Sequence, residues 1–275
     1  MGRIKEWEEL TICDNFLFQK VMQNQRLCKR LIEKLLDIKV NSINYPAAEK
    51  NIAVSATQKS VRLDLYVETD TGVVLDIEIQ TTDGTEGWLP KRTRYYQSMI
   101  DLDVLEKGKE YNELKPSYVI FICTFDPFKA GRKIYTFTNR CHEEDGLELG
   151  DEATKIFLNA KGTTGNVNKD IDSFLAYVDG KSAEGKFTKD IATEVDRVKQ
   201  HKETKVEYMT LMMELKQQRR EGREEGKAEG KVEGKLETII NNIRSLMKKK
   251  GWSLNEALEA LDVSPEDRIT ISAKL

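Results

Sequence analysis

Two adjacent stretches of the chain alternate apolar and polar residues with a period of two. In Val61-Arg62-Leu63-Asp64-Leu65-Tyr66-Val67-Glu68 the apolar residues fall on odd positions, and in Val73-Val74-Leu75-Asp76-Ile77-Glu78-Ile79-Gln80 they are again mostly odd. That alternation predicts two strands, each with one buried and one polar face. Between them, Asp70-Thr71-Gly72 suits a three-residue hairpin loop whose last position is left-handed, where glycine is favoured. If Thr69 pairs with Val73, then Asp64 lies opposite Glu78, Arg62 opposite Gln80 and Tyr66 opposite Asp76, all on one face.

Around this hairpin the period changes. Residues 16–36 repeat apolar side chains at helical spacing (Phe18, Val21, Met22, Leu27, Leu31, Ile32, Leu35, Leu36), and a short strand-like stretch follows at 40–43. Residues 89–105 read as a helix, with Tyr95, Ile100 and Leu102 expected in the core. Tyr118-Val119-Ile120-Phe121-Ile122-Cys123 is the near-continuous apolar run of a fully buried strand. The order helix, strand, hairpin, helix, strand implies the α/β class, with a mixed sheet flanked by helices.

Beyond residue 165 the pattern is helical. Ile171, Phe174, Leu175 and Val178 predict a helix packed on the core, and residues 187–215 a longer one ending near Met209, Leu211, Met212 and Leu215. In 221–235, Gly222, Gly226, Gly230 and Gly234 recur every fourth position between charged residues. Two readings stand for this segment. On a helix the glycines form one stripe between a Glu stripe and a Lys/Arg stripe, so that two helices could approach closely. Each Gly costs about 1 kcal/mol relative to Ala in a helix interior, however, and a flexible charged linker is the other reading. Further on, Ile239, Ile240, Ile243, Leu246 and Met247 predict a helix ending near Gly251. Ser253-Leu254-Asn255-Glu256 has the form of a capping box, and Ser264-Pro265-Glu266-Asp267 that of an N-cap with proline in the first turn. The expected organisation is a core over 1–165, a helical extension over 166–215, the Gly-periodic segment over 216–235 and a small helix-turn-helix-like module over 236–275. Glu266 and Asp267 give the last helix a partly acidic face, which fits packing or oligomerisation at least as well as DNA reading.

Composition narrows the function. A chain of 275 residues holds one sizeable α/β core plus an appendage. Cys13, Cys28, Cys123 and Cys141 show no paired spacing and no secretory leader is recognisable, so reduced thiols in the cytoplasm are expected. No apolar run approaches the length of a membrane span, so no membrane association is expected. Neither glycine-rich phosphate-binding motif occurs, which argues against a nucleotide cofactor. Histidine is limited to His142 and His201. His142, beside Cys141 and Glu143-Glu144-Asp145, reads better as part of a solvated acidic loop than as a metal ligand. The formal net charge is −3, so contact with a polyanion would rest on local patches such as Lys91-Arg92-Arg94, Lys129-Arg132-Lys133 or Lys248-Lys249-Lys250.

The candidate chemistry lies on the hairpin. Directly opposed like charges are destabilising, so Asp64 facing Glu78 asks for a cation between them. Mg2+ or another divalent cation fits, because such an ion takes one or two carboxylates together with water and phosphate oxygens. The plainer reading is the solvated face of an ordinary hairpin. Arg92 and Tyr96, four apart on one helix face, could contact a phosphate together or stack on each other at the surface.

The ordered set of Arg62-Leu63-Asp64-Leu65, Asp76-Ile77-Glu78-Ile79-Gln80, Leu89-Pro90-Lys91-Arg92-Thr93-Arg94-Tyr95-Tyr96-Gln97 and Tyr118-Val119-Ile120-Phe121-Ile122 resembles the Rpn family of recombination-promoting nucleases and transposases. That family is a branch of the PD-(D/E)XK nuclease superfamily. The likeness continues through Cys123-Thr124-Phe125-Asp126-Pro127-Phe128 and covers residues 10 to 165. The resemblance implies a restriction-endonuclease-like core that hydrolyses DNA phosphodiesters with Mg2+, in recombination or mobile-element biology. It implies Asp64, Glu78 and Gln80 as catalytic residues, and Asp64, Glu78 and the backbone carbonyl of Ile79 as metal ligands. Gln80 stands where the superfamily name expects Lys and cannot supply positive charge. Lys91, Arg92 and Arg94, with Tyr96, are then the candidates for DNA-phosphate binding. Relatives carry an acidic residue just before the Phe-x-Phe of the first helix; here Asn15 stands there and Asp14 precedes it. Two alternatives to a nuclease are a DNA-binding protein with a decayed centre and a homo-oligomeric interaction protein assembled through its C-terminal helices.

Overall fold

The computed structural model describes residues 3–45, 50–52, 61–84, 87–105 and 108–274. The first helical stretch forms two helices rather than one, α1 (Asn15–Met22) and α2 (Gln25–Leu36). The break falls where Asn24 leaves helical geometry and its side-chain oxygen accepts from the Leu27 N–H, a local bond that favours starting a new helix over continuing the old one.

Strands β1 (Ile43–Asn44), β2 (Lys50–Ile52), β3 (Val61–Leu63), β4 (Tyr66–Thr69) and β5 (Val74–Gln80) precede helix α3 (Trp88–Val104). Strands β6 (Ser117–Cys123), β7 (Ile134–Phe137) and β8 (Ala153–Asn159) follow. Among the described residues a six-stranded sheet runs β1-β4-β5-β6-β8-β7, while β2 and β3 form a separate antiparallel pair. β5, β6 and β8 are mutually parallel, and β4 and β7 join antiparallel on either side. The fold is therefore mixed α/β, as the pattern predicts.

The hairpin forms in the expected register. The Thr69 N–H donates to the Val73 carbonyl at 2.9 Å, Tyr66 pairs with Asp76, and Gly72 has φ +81°. Two expectations fail next to it. Arg62 pairs with Asn51, not Gln80, because the chain bends at Asp64–Leu65 and carries β3 out of the main sheet. The ladder reaches Leu65, whose carbonyl accepts from Ile77; one residue earlier, the Asp64 N–H turns to the Glu78 carboxylate instead, at 2.9 Å.

β5 also lacks a solvated face, since all seven of its residues are buried. Neighbouring strands flank it, and α3 lies across the side that carries Val74 and the acidic residues, packing Leu89, Tyr96, Met99 and Ile100 against Val119, Phe121 and Phe157. Ile100 is core as expected. Tyr95 and Leu102, 38% and 63% exposed, lie off that stripe and are not.

Helices α4 (Lys169–Val178) and α5 (Gly185–Gln200) bury Ile171, Phe174, Leu175, Val178, Phe187 and Ile191. An extended His201 ends α5, so the helix expected over 187–215 is interrupted there and α6 (Lys202–Lys250) begins. The chain divides into two units, Met1–Tyr208 and Met209–Leu275. In the second unit the Gly-periodic segment lies within α6, which Gly251 terminates at φ +71°. Helices α7 (Leu254–Ala260) and α8 (Pro265–Ser272) carry the two N-caps expected of Ser253 and Ser264. Ile240, Ile243, Ala257, Leu258, Val263 and Ile271 form that unit's own core.

Candidate active site

Strand alternation sends Asp76, Glu78 and Gln80 of β5 toward α3. The bend after β3 brings Asp64 to the same place, because its backbone N–H is held by Glu78 Oε1. Relative exposures of 7% for Asp64, 0% for Asp76, 0% for Glu78 and 9% for Gln80 put three carboxylates in a nearly dry setting. Burying charge is costly unless it is paired. Helix α1 contributes Gln19, 6% exposed, whose Nε2 donates to Asp64 Oδ1 at 3.4 Å.

Electrostatics follows from that packing. Burial, and next the charge of Asp64, pushes the Glu78 carboxyl up to about 8, although Arg92 and the Asp64 N–H act in the opposite direction. Asp76 is driven well above the usual carboxylate range, first by burial and then by Glu78 and Asp64. Neither of its carboxylate oxygens meets a hydrogen-bond donor among the described residues. A pocket that raises carboxyl pKa values in this way favours any positive charge that enters it.

One such charge is supplied by the chain. The Arg92 guanidinium donates to Glu78 Oε2 at 2.5 Å and to Gln80 Oε1 at 3.1 Å. Its carbon lies 4.7 Å from the Tyr96 ring centroid, 5.2 Å from that of Phe121 and 5.5 Å from that of Trp88. Arg92 and Tyr96 thus come together, but inside the fold and against the acidic residues, whereas Lys91 and Arg94 are exposed on the outer side of α3. Gln80 spends its amide nitrogen on Thr82, donating to the backbone oxygen at 2.8 Å and to the hydroxyl at 3.2 Å. Ile79 is buried. Val73, Leu75 and Ile77 direct their backbone groups toward β4, so by ladder alternation the Ile79 carbonyl faces the edge that β3 leaves.

The donor set suits a divalent cation of the hard, oxygen-liganded kind. Among the described residues no three His, Cys, Asp or Glu side chains gather into a self-sufficient metal cage. Two neighbouring carboxylates, one of them bonded to the backbone N–H of the other's residue, beside a carbonyl match an ion that completes its shell with water and phosphate. Asp64, Glu78 and the Ile79 carbonyl are the groups that would hold it.

Two residues at this site escaped the sequence reading of function. Asp76 was visible as the partner of Tyr66 and as one residue of the run Asp76-Ile77-Glu78-Ile79-Gln80, with no chemical role attached, and its burial depends on α3 lying overhead. Gln19 carried one faint signal, a polar residue within the apolar stripe of Phe18 and Met22. The first-helix positions singled out by sequence lie elsewhere: Asn15 is exposed, and the Asp14 carboxylate accepts from Thr11 and pairs with Lys5. His142 is 99% exposed in its acidic loop.

No curated protein and no solved structure gives a significant match to this sequence. A family model does: that of the PD-(D/E)XK nuclease family transposases matches residues 15–225, a span holding Gln19, Asp64, Asp76, Glu78, Gln80 and Arg92. The coverage and the buried acidic centre on β5 agree, and the chain belongs to the PD-(D/E)XK nuclease family transposases.

Proposed function

We propose that this protein is a divalent-cation-dependent endonuclease, with Mg2+ as the preferred ion, that hydrolyses DNA phosphodiester bonds during recombination or transposition. The observation that carries the reading is the meeting of Asp64 and Glu78 at the bend where β3 leaves the sheet, with a cationic group already on Glu78. Asp64, Glu78 and the Ile79 carbonyl would hold the ion. When bound, the cation supplies Lewis acidity at the phosphodiester. Gln80 orients the attacking water once its amide oxygen is released by Arg92, and Arg92, Lys91 and Arg94 draw the phosphate to the site, with Tyr96 stacked beneath Arg92. Helix α3 and the aromatic residues around it keep bulk water away, which strengthens each charge interaction there. The test is nicking of a supercoiled plasmid in Mg2+. The reading expects cleavage that EDTA removes and that Asp64→Ala and Glu78→Ala both lack. Cleavage by either variant at the wild-type rate would overturn it.

One observation favours a second reading, a DNA-binding or oligomeric protein with a weak or silent centre. Both ends of Gln80 are engaged, with Thr82 and Arg92, so its amide is not free to aim a water in this arrangement. DNA binding without Mg2+-dependent nicking is the result that reading expects.

Association through the C-terminal helices is part of the same proposal. Along 221–235, Glu221, Glu225, Glu229 and Glu233 follow one another at four-residue steps, as do Arg223, Lys227, Lys231 and Lys235, an arrangement that weakens an isolated helix. In a parallel two-fold pair packed on the glycine stripe, the Lys/Arg stripe of one helix faces the Glu stripe of the other, whereas an antiparallel pair sets like against like. A parallel homo-oligomer is the association this pattern supports.

A further inference from the structure

Glu78 has two carboxylate oxygens, and both are in use. Oε1 accepts from the Asp64 N–H at 2.9 Å, and Oε2 accepts from Arg92 at 2.5 Å. The second nitrogen of the guanidinium reaches Gln80 Oε1 at 3.1 Å, so Arg92 bridges two of the residues assigned to catalysis. An ion liganded by Glu78 would sit within a few ångströms of this fixed positive charge, in surroundings too dry to screen the repulsion. The two cations compete for one carboxylate.

Arg92 also has somewhere else to go. Its side chain is 24% exposed, so that beside the rings of Trp88, Tyr96 and Phe121 it also meets solvent, and its neighbours Lys91 and Arg94 are already in solvent. A guanidinium binds phosphate through two parallel N–H bonds as readily as it binds carboxylate. Resting on the reading of Asp64 and Glu78 as a divalent-cation site, we propose that Arg92 is an exchangeable occupant of that site: it holds Glu78 while no divalent ion is present, and an arriving ion displaces it toward the phosphate of the nucleic acid. Metal loading and phosphate capture are then coupled through one side chain. In the vacant centre the charge of Glu78 is matched by Arg92, and in a loaded one the guanidinium is released as a positively charged clamp.

The experiment is Mn2+ binding to the full-length protein without DNA, followed by isothermal titration calorimetry, for the wild type, Arg92→Met, Arg92→Lys and Glu78→Gln, with circular dichroism verifying that each is folded. Coupling between close charge pairs is large enough that Arg92→Met is expected to bind Mn2+ about tenfold or more tightly than the wild type, with Arg92→Lys between the two. A parallel measurement needs no substitution at the site: in a Mg2+ titration of the wild type followed by the arginine Nε–Hε NMR signals, the Arg92 resonance is expected to move to the position of solvent-exposed arginines. If the wild type binds Mn2+, Glu78→Gln does not, and Arg92→Met binds no more tightly while the resonance stays in place, Arg92 is a fixed structural partner; the exchange is overturned and the metal-site reading survives. If neither the wild type nor Arg92→Met binds Mn2+ and Mg2+ leaves the resonance in place, the metal-site reading fails and the exchange with it.

Discussion

Glutamates beside basic residues do opposite jobs in two parts of this molecule. In the unit Met1–Tyr208, Glu78 is wholly buried, linked to one arginine and to a backbone N–H, and its carboxyl is pushed up to about 8. In α6, Glu225, Glu229 and Glu233 alternate with Lys227, Lys231 and Lys235, and every one of them is exposed. Water screens each of the latter, so none dominates. Around β5 there is almost no water, and each charge governs its neighbours. The residue type is shared; desolvation makes one set candidate chemistry and leaves the other as surface.

The contrast can be broken by substitution. The largest effect is expected at the buried carboxylate. Glu78→Ala should lower plasmid cleavage by more than about a hundredfold, beyond the tenfold to hundredfold typical of residues that only support metal ligands, whereas Glu229→Ala should leave the cleavage rate unchanged. Equal rates in wild type and Glu78→Ala would end the distinction.

Next comes the buried pair. Removing one partner of such a pair costs about 3 kcal/mol, so metal-free Arg92→Met should melt several degrees below the wild type by differential scanning calorimetry. Lys231→Ala should melt with the wild type. A similar contrast is expected with pH. A carboxyl whose folded pKa lies above its unfolded value binds more protons in the folded state. The stability that Glu78 and Asp76 contribute is therefore complete at low pH and is lost as pH rises from 4.5, the ordinary glutamate value, through about 8 for Glu78. In EDTA the melting temperature should fall across that window, and Glu78→Gln should flatten the slope.

The smallest effect sharpens the other side. No atom outside the helix lies within 4 Å of where a Cβ on Gly226 or Gly230 would sit, so each change to Ala should stabilise α6 by about 1 kcal/mol and raise helicity at 222 nm in the full-length chain. If the glycine stripe is instead the contact between two copies, the double variant should sediment as a smaller species than the wild type.

Local pattern made much of the fold legible. The period-two alternation with Gly72 placed Tyr66 opposite Asp76, the apolar run placed β6, and Ser253 and Ser264 marked the starts of α7 and α8. These features depend on residues close in sequence, whose hydrogen bonds and backbone preferences are local. The sheet around them carried less signal. Arg62 follows the hairpin alternation without interruption, yet β3 pairs with β2, because a bend at Asp64 is stabilised by a side chain fourteen residues away.

By itself the sequence determined the α/β class, the hairpin register that sets Tyr66 opposite Asp76 and the nearness of Asp64 to Glu78, since alternation and turn chemistry act over a few residues. Only the tertiary structure decided that the polar side of β5 is dry. That required α3 to cross the sheet and set Arg92 on Glu78, α1 to bring in Gln19, and Asp76 to lose its contact with water. Burial is a property of what lies overhead, and no run of neighbouring residues encodes which distant helix that will be.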